Sequence, residues 1–152
     1  VLSLFNSAGI GMVISKRASL SGATGGCQAE CGSASAMAAS AAVELSGGTP
    51  DMCAHACAIA LKNILGLVCD PVAGLVEVPC IKRNTLGTAN ALVAADLALS
   101  GIESTIPVDE VIDAMKSVGN LMVSSLKETA LGGVACTPTA KRLNKIINSS
   151  KI

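Results

Sequence analysis

Glycine and proline divide this sequence into apolar segments of helical length, and this division constrains the fold more than any other feature. The pairs Gly47-Gly48 and Gly132-Gly133 each end one segment, and Thr49-Pro50 and Thr137-Pro138 each begin another. A threonine side chain can cap the free N–H groups at a helix start, and proline suits the first helical position. No segment sustains the polar–apolar alternation of a half-buried strand. We therefore predict an all-α fold, a compact multi-helix domain with Gly/Pro-rich loops.

The apolar residues recur at helical spacing in six segments. The predicted helices cover about residues 1–17, 28–45, 50–65, 81–100, 108–122 and 138 onward. The connections between them include a Ser/Gly-rich loop at 18–27 and a stretch with glycine, proline and cysteine at 66–80.

Composition excludes several classes of protein. A chain of 152 residues is the size of one domain, and 51% apolar residues with zero net charge do not suit a disordered or nucleic-acid-binding chain. The mean hydropathy of +0.60 raises the question of a membrane protein. Charged residues interrupt each apolar run, so none reaches the roughly 20 residues of a membrane span. Because aromatic residues are only 1% of the chain, we predict a closely packed core of small side chains.

The chain has seven cysteines. Because the number is odd, they cannot all be paired in internal disulfides. With no apolar leader at the start, we expect the reducing cytoplasm, where clustered cysteines more often bind metal or catalyse reactions. Three of them lie within predicted helices and are expected to be buried apolar side chains: Cys31, Cys53 and Cys57. The spacing of Cys53 and Cys57 leaves open a weaker metal-binding interpretation.

Cys27, Cys69 and Cys80 occupy a different setting, each at a junction of loop and helix beside glycine, proline or aspartate. Such positions lower the pKa of a thiol and allow distant loops to meet, so the three form a candidate metal site. Their intervals match no standard zinc or ferredoxin pattern. Cys136 is a fourth loop cysteine, either a ligand or a bystander.

The segments around these cysteines resemble a known family. GCQAE at 26–30, LGLVCDPV at 65–72 and VPCIKRN at 78–84, with ASLSGA at 18–23 and KETA at 127–130, are similar to the catalytic α chain of bacterial iron–sulfur-dependent L-serine dehydratase. The resemblance runs from about residue 8 to about residue 142.

The resemblance implies a [4Fe–4S] cluster held by Cys27, Cys69 and Cys80, with one iron open to substrate. It implies deamination of L-serine to pyruvate and ammonia without pyridoxal phosphate, in amino-acid degradation and gluconeogenesis. We expect residues 1–152 to be the C-terminal part of the catalytic domain, a fragment lacking its N-terminal part. The expected partners are that part, a regulatory β subunit or domain and further copies in an oligomer, with no nucleic acid and no membrane.

Elimination of water from serine needs a Lewis acid for the β-hydroxyl, a base for the α-proton and donors for the carboxylate. Ser19, Ser21 and Gly22 are candidate carboxylate donors, and an ordinary loop capped by its own serines explains them equally well. Glu30 and Lys127 are weak candidates for the base. We expect the actual base to lie in the absent N-terminal part, and the isolated chain to be inactive.

Four further polar residues have simpler explanations. Asp70 fits an Asp-Pro turn, and Arg83 is expected to be solvated. Asn84 could orient the loop that carries the cysteine before it. His55, the only histidine, is expected to pack between helices.

Two other functions remain open at this point. The same cysteines could form a non-catalytic iron–sulfur or zinc site for structure or redox sensing. A cluster-dependent elimination could also act on another small amino acid, such as L-threonine or L-cysteine.

Overall fold

The computed structural model describes residues 1–149, and this part of the chain is built from helices, as predicted. The α-helices are α1 Leu2–Arg17, α2 Gly22–Gly25, α3 Ser33–Leu45, α4 Pro50–Asn63, α5 Cys80–Leu99, α6 Val108–Leu121 and α7 Pro138–Ser149. Within the described residues, the β-pairing consists of one isolated parallel bridge between Cys69 and Lys127. The end of the predicted basic tail, residues 150–152, lies outside the described residues.

Shorter helical turns complete the connections. A π-helix at Gln28–Gly32 leads directly into α3, and 3₁₀ turns occupy Val72–Gly74, Ser124–Leu126 and Gly133–Cys136. The sequence predicts one continuous helix from residue 28, whereas the structure begins that helix with a wider π turn. π turns inside helices are frequently found at functional sites.

The two Thr-Pro signals begin helices as predicted. Thr49 accepts a hydrogen bond from the Met52 N–H at 3.3 Å, with Pro50 as the first residue of α4. Thr137 accepts one from the Ala140 N–H, also at 3.3 Å, at the start of α7. Each cap satisfies an N–H group that has no partner inside its helix.

Helix α3 lies at the centre of the fold, packed against α1, α4 and α5, and α4 also packs against α6. The core is formed mainly by small side chains: Ala36, Ala39, Ala56, Ala58, Ala60, Ala91, Ala94, Ala95 and Ala98. This confirms the predicted small-residue core, which lets helix backbones approach closely. Among the described residues, no helix has the length and apolar character needed to cross a membrane.

Two of the helical cysteines belong to this core, as predicted. Cys53 and Cys57 are buried on α4, and burial raises the pKa of Cys57 to about 12. The Cys53 sulfur accepts a hydrogen bond from the Asn6 side-chain amide at 3.3 Å. Both thiols therefore act as packing groups of the helical core.

Candidate functional site

Three separate segments bring Cys27, Cys69 and Cys80 to the wall of one cavity of about 200 Å³. Cys27 lies between α2 and the π-helix, Cys69 lies in the loop after α4, and Cys80 is the first residue of α5. The other lining residues include two carboxylates, a fourth thiol and an amide: Glu30, Glu128, Cys31 and Asn84. The structure thus brings together the three cysteines expected as ligands.

Gln28 ties the Cys27 segment to the Cys69 segment. Its N–H donates to the Leu67 carbonyl at 2.9 Å, and its side-chain oxygen accepts from the Gly66 N–H at 2.9 Å. Its side-chain nitrogen donates to the Met115 carbonyl of α6 at 3.0 Å. The side chain is 1% exposed, and its bond to the Met115 carbonyl is buried. The sequence could have indicated this role, because Gln28 directly follows the candidate ligand Cys27.

Gly26 allows these two segments to approach. Its φ of +78° lies in the left-handed region, and a Cβ at this position would stand 2.9 Å from the Leu67 carbonyl oxygen. A side chain would therefore be strained by its backbone conformation and would also push the Cys69 segment away.

The loop predicted to hold the substrate carboxylate reaches the cysteines through Gly22. A Cβ on Gly22 would lie 3.2 Å from the Cys69 sulfur and 3.0 Å from a Glu30 carboxylate oxygen. Ser19 and Ser21 differ from Gly22, since their hydrogen bonds within residues 1–149 do not involve the cysteines. The Ser21 N–H donates to the Ser19 hydroxyl at 3.0 Å, and Ser19 lines a separate pocket of about 70 Å³. The geometry of Ser19 is that of a turn closed by its own hydroxyl.

A later segment runs alongside Cys69. The Cys69 N–H donates to the Leu126 carbonyl at 2.8 Å, and the Glu128 N–H donates to the Cys69 carbonyl at 2.7 Å. These bonds place Glu128, with a φ of +65°, at the cavity wall. Lys127, the candidate from the sequence, forms the backbone bridge to Cys69, and within the described residues it is not part of the cavity lining. Glu128 was missed because only its neighbour in the KETA motif was considered.

The expectation that Arg83 is solvated is wrong. Its side chain is only 15% exposed, and its Nη1 lies 2.8 Å from Asp70 Oδ1, whose side chain is 2% exposed. The angles at Asp70 Oδ1 are not those of a hydrogen bond, so the contact between Arg83 and Asp70 is an ion pair. Asp70 Oδ2 also accepts from the Val134 N–H at 2.6 Å. The Asp-Pro turn therefore explains only part of the role of Asp70.

Cys31 is buried, as expected of a helical cysteine, but it lies beside the site rather than in the main core. Its sulfur is 3.3 Å from the Cys27 sulfur, and together with Cys69 these residues form a second buried cluster. The Asn84 side-chain oxygen lies 3.5 Å from the Cys31 sulfur. Cys31 reaches Cys27 because the two residues are four apart, about one helical turn. In the sequence prediction Cys27 lies in the loop before the helix, so the two residues are not paired there.

Burial and mutual proximity raise the pKa values of Cys31, Cys69 and Cys80. For Cys69 and Cys80 this is opposite to the lowering expected at a junction of loop and helix. Burial, followed by the charge of Cys27 and then of Glu128, raises the pKa of Cys69 to about 12. Burial and the Cys27 thiol raise the pKa of Cys31 to about 12. Burial and Cys27 also raise the pKa of Cys80, while the charge of Arg83 acts in the opposite direction. A metal group bound here would release thiol protons, because thiolates are the binding form.

Two further candidates lie away from the cavity. His55 Nδ1 accepts a hydrogen bond from the Ser104 N–H at 3.1 Å, as the helix-packing interpretation predicts. Cys136 is half-buried at the end of the 3₁₀ turn whose Val134 N–H binds Asp70. Among residues 1–149, Cys136 is not part of the lining of the cysteine cavity.

The donor set of the cavity fits a metal–sulfur cluster. Thiolates are soft ligands that select iron–sulfur clusters, copper(I) or zinc. In the described part of the chain, no three His, Cys, Asp or Glu side chains form a group that could hold a metal ion. The three cysteines line a common cavity, and an added Cβ would meet the Cys69 sulfur at Gly22 and the Leu67 carbonyl at Gly26.

Fold and site together define the class of protein, an all-helical domain with a cysteine-lined cavity between its loops. Residues 1–135 match the family model described as "Serine dehydratase alpha chain". The chain therefore belongs to this family, in agreement with the resemblance seen in the cysteine motifs.

Individual relatives agree with the family match. The chain is 62% identical over 144 residues to a "Probable L-serine dehydratase, alpha chain" of Bacillus subtilis, covering 95% of this chain and 48% of the relative. It is 57% identical over 139 residues to an "L-serine dehydratase, alpha chain" of Peptoniphilus asaccharolyticus, covering 91% and 48%. It is 47% identical over 133 residues to an "L-serine dehydratase" of Mycobacterium tuberculosis, covering 87% and 29%. The chain spans about half the length, or less, of these relatives.

Proposed function

We propose that this chain is part of an enzyme that deaminates L-serine to pyruvate and ammonia by β-elimination. In this proposal Cys27, Cys69 and Cys80 hold a [4Fe–4S] cluster. The observation that carries the proposal is that these three cysteines, distant in the sequence, line one cavity. The names of the relatives, all L-serine dehydratases, support the choice of substrate.

The cluster, when bound, supplies an iron with a free coordination position that acts as a Lewis acid on the β-hydroxyl of serine. The chain's own residues supply the rest of this half of the site. The three thiolates orient the cluster, and the loop at Gly22, which lies close to Cys69, is proposed to bind the substrate carboxylate. Glu30 and Glu128 border the cavity, where a carboxylate can accept a hydrogen bond from the substrate ammonium group.

The overall reaction balances without an added oxidant or reductant. Loss of the α-proton and of the β-hydroxyl, which leaves as water, gives aminoacrylate. Aminoacrylate becomes the imine of pyruvate, and water then releases ammonia. The group that takes the α-proton is proposed to lie in the part of the longer relatives that the match to these 152 residues does not cover.

The proposed setting follows from the same relatives. Two of them are named alpha chains, so we propose a regulatory β chain as partner, within a larger oligomer. A cytoplasmic location is proposed because free thiols and an exposed cluster iron need reducing surroundings.

One observation favours a second candidate function. Cys31 places a fourth thiol in the cavity, beside Cys27. Four protein thiolates could fill the coordination position of every iron, which would give a structural or redox-sensing cluster with no position for substrate.

Elimination on L-threonine or L-cysteine is a variant of the first function. Comparing the rates with L-serine, L-threonine and L-cysteine on the full-length enzyme decides which substrate is preferred.

Anaerobic reconstitution of the chain with iron and sulfide separates the two candidates. Electron paramagnetic resonance of the reduced cluster is recorded with L-serine and, as matched control, with D-serine. A spectrum that changes with L-serine alone supports an open iron that binds substrate. A cluster spectrum that neither enantiomer changes supports the closed site. Pyruvate formation is then measured with the longer polypeptide and the β chain present.

A further inference from the structure

Arg83 joins the Cys80 segment to the Cys69 segment. It lies one turn after Cys80 on α5, it forms the ion pair with Asp70, which follows Cys69, and its Nη1 donates to the Val68 carbonyl at 2.8 Å. The Cys27 thiol also acts to raise the pKa of Arg83. One side chain thus ties the start of α5 to the loop that carries Cys69.

The electrostatics are unusual for an arginine in a small domain. Burial acts to lower the pKa of Arg83, but its contacts with Asp70 and Cys27 outweigh burial, and the pKa is raised. The positive charge is therefore permanent. Arg17 offers the contrast, since its ion pairs with Asp109 and Asp113 are at the exposed surface.

A thiolate-held cluster needs such a cation. Three thiolates bring three negative charges into a half-enclosed site, a [4Fe–4S]²⁺ core offsets two of them, and the walls add the carboxylates of Glu30 and Glu128. Burying like charges together is costly unless a cation compensates. Local charge and hydrogen bonds to the sulfurs also set the reduction potential of a cluster.

We propose that Arg83, held in place by Asp70, is a positioning residue for the cluster and supplies its counter-charge. This inference rests on the proposed cluster, which it deepens. Arg83 fixes the spacing of the Cys69 and Cys80 segments through Val68 and Asp70. Its charge compensates the Cys27 and Cys80 thiolates and makes the cluster easier to reduce.

The alternative is an ion pair that only stabilises the fold, and the two roles differ in what the charge does to the cluster. A purely structural pair affects stability and cluster content. A counter-charge also changes the midpoint potential of whatever cluster is assembled. Arg83→Lys keeps the positive charge but loses the planar guanidinium with its several N–H donors, whereas Arg83→Gln loses the charge.

The test uses the chain reconstituted anaerobically, as wild type, R83K, R83Q and the control R17Q. Iron and sulfide per chain, the midpoint potential by redox titration and the far-ultraviolet circular dichroism are measured for each. We expect R83Q to assemble less cluster and to have a more negative midpoint potential than wild type. R83K should keep a potential close to wild type with intermediate cluster content, and R17Q should match wild type in both.

A second pair of variants covers the case in which R83Q leaves Asp70 unpaired and fails to fold. D70N and D70N/R83Q both lack the carboxylate, and only the double variant lacks the cation. A more negative potential in the double variant than in D70N supports the inference. Equal potentials in that pair, or in R83Q and wild type, overturn the inference and leave the proposed cluster intact. A wild-type chain that takes up no iron or sulfide overturns the proposed cluster and this inference with it.

Discussion

The helical core and the cysteine cavity are built by opposite means. The core between α3, α4 and α5 is formed by small apolar side chains that recur at helical spacing. The cavity is formed by loops, and polar bonds fix them: those of Gln28, the Asp70–Arg83 pair and the backbone pairing at Cys69. Cysteines occur in both regions, so residue type does not distinguish them, but their neighbours do.

This contrast teaches what each region tolerates. A core of alanines tolerates the loss of a small group, whereas a larger side chain overpacks it because the helix backbones approach closely. A site held by single polar bonds loses its geometry when one of them is removed, because a buried partner is then left unsatisfied. The following predictions compare one change in the cavity with a matched change elsewhere.

The largest expected effect is at the proposed ligands. Replacing Cys69 with Ala should abolish the cluster absorbance after anaerobic reconstitution, because two remaining ligands do not retain a cubane. Replacing the core cysteine Cys57 with Ala should leave cluster absorbance unchanged and lower the free energy of unfolding by about 1 kcal/mol. Equal cluster loss in both variants would show that the two groups of cysteines do not differ as argued.

The next effect compares alanine substitutions at two glycines, one with backbone strain alone and one that also has close neighbours. Gly26 and Gly47 have nearly the same positive φ, +78° and +79°, but only Gly26 has neighbours within 4 Å of an added Cβ. Gly47→Ala should therefore cost roughly 1–2 kcal/mol of unfolding free energy from φ alone. Gly26→Ala should cost more and also reduce iron content. Urea denaturation and iron analysis measure the two effects, and equal results for both variants would contradict the role given to Gly26.

A smaller effect is expected at Gln28. Gln28→Ala leaves the Gly66 N–H and the Met115 carbonyl without their partners, at a cost of about 1–3 kcal/mol for each group that stays buried. Gln28→Glu keeps an acceptor for Gly66 and should be less damaging to cluster content. Iron content per folded chain is the measurement. An alanine variant that binds as much iron as wild type would show that the two segments hold together without this side chain.

The smallest effect is expected at Cys31. If the cluster has an open iron, Cys31→Ala should keep full iron content, lose about 1 kcal/mol of stability and keep its spectral response to L-serine. Cys53→Ala is the matched control in the core. A Cys31→Ala variant with altered iron content, and a Cys53→Ala variant without, would place Cys31 among the ligands and favour the closed site.

The sequence predicts the helical part of this molecule well because its signals are local. The starts of α4 and α7 depend on a threonine and a proline next to each other, and the structure shows the expected caps. The small-residue core likewise follows from composition and spacing. The π-helix before α3 is the exception, since nothing in an Ala/Ser-rich helical pattern distinguishes a wider turn.

The site is predicted only in outline because its contacts join distant segments. The cysteine motifs predict Cys27, Cys69 and Cys80 as ligands; the structure places all three at one cavity, and their binding of a cluster stays a prediction. Arg83 looks solvated in sequence because its immediate neighbours are polar, and only the approach of Asp70 makes it buried. Glu128 is at the cavity because its backbone pairs with Cys69, a contact between residues far apart in the chain.

The pairing of Cys69 with residues 126–128 has a consequence for hydrogen exchange. The Cys69 and Glu128 amides are held by bonds between two loops rather than inside a helix. Their exchange with deuterium therefore requires the loops to separate, which is a local opening of the site and not unfolding of the bundle. The protection of these two amides thus reports how often the cavity opens, in a chain with or without its cluster.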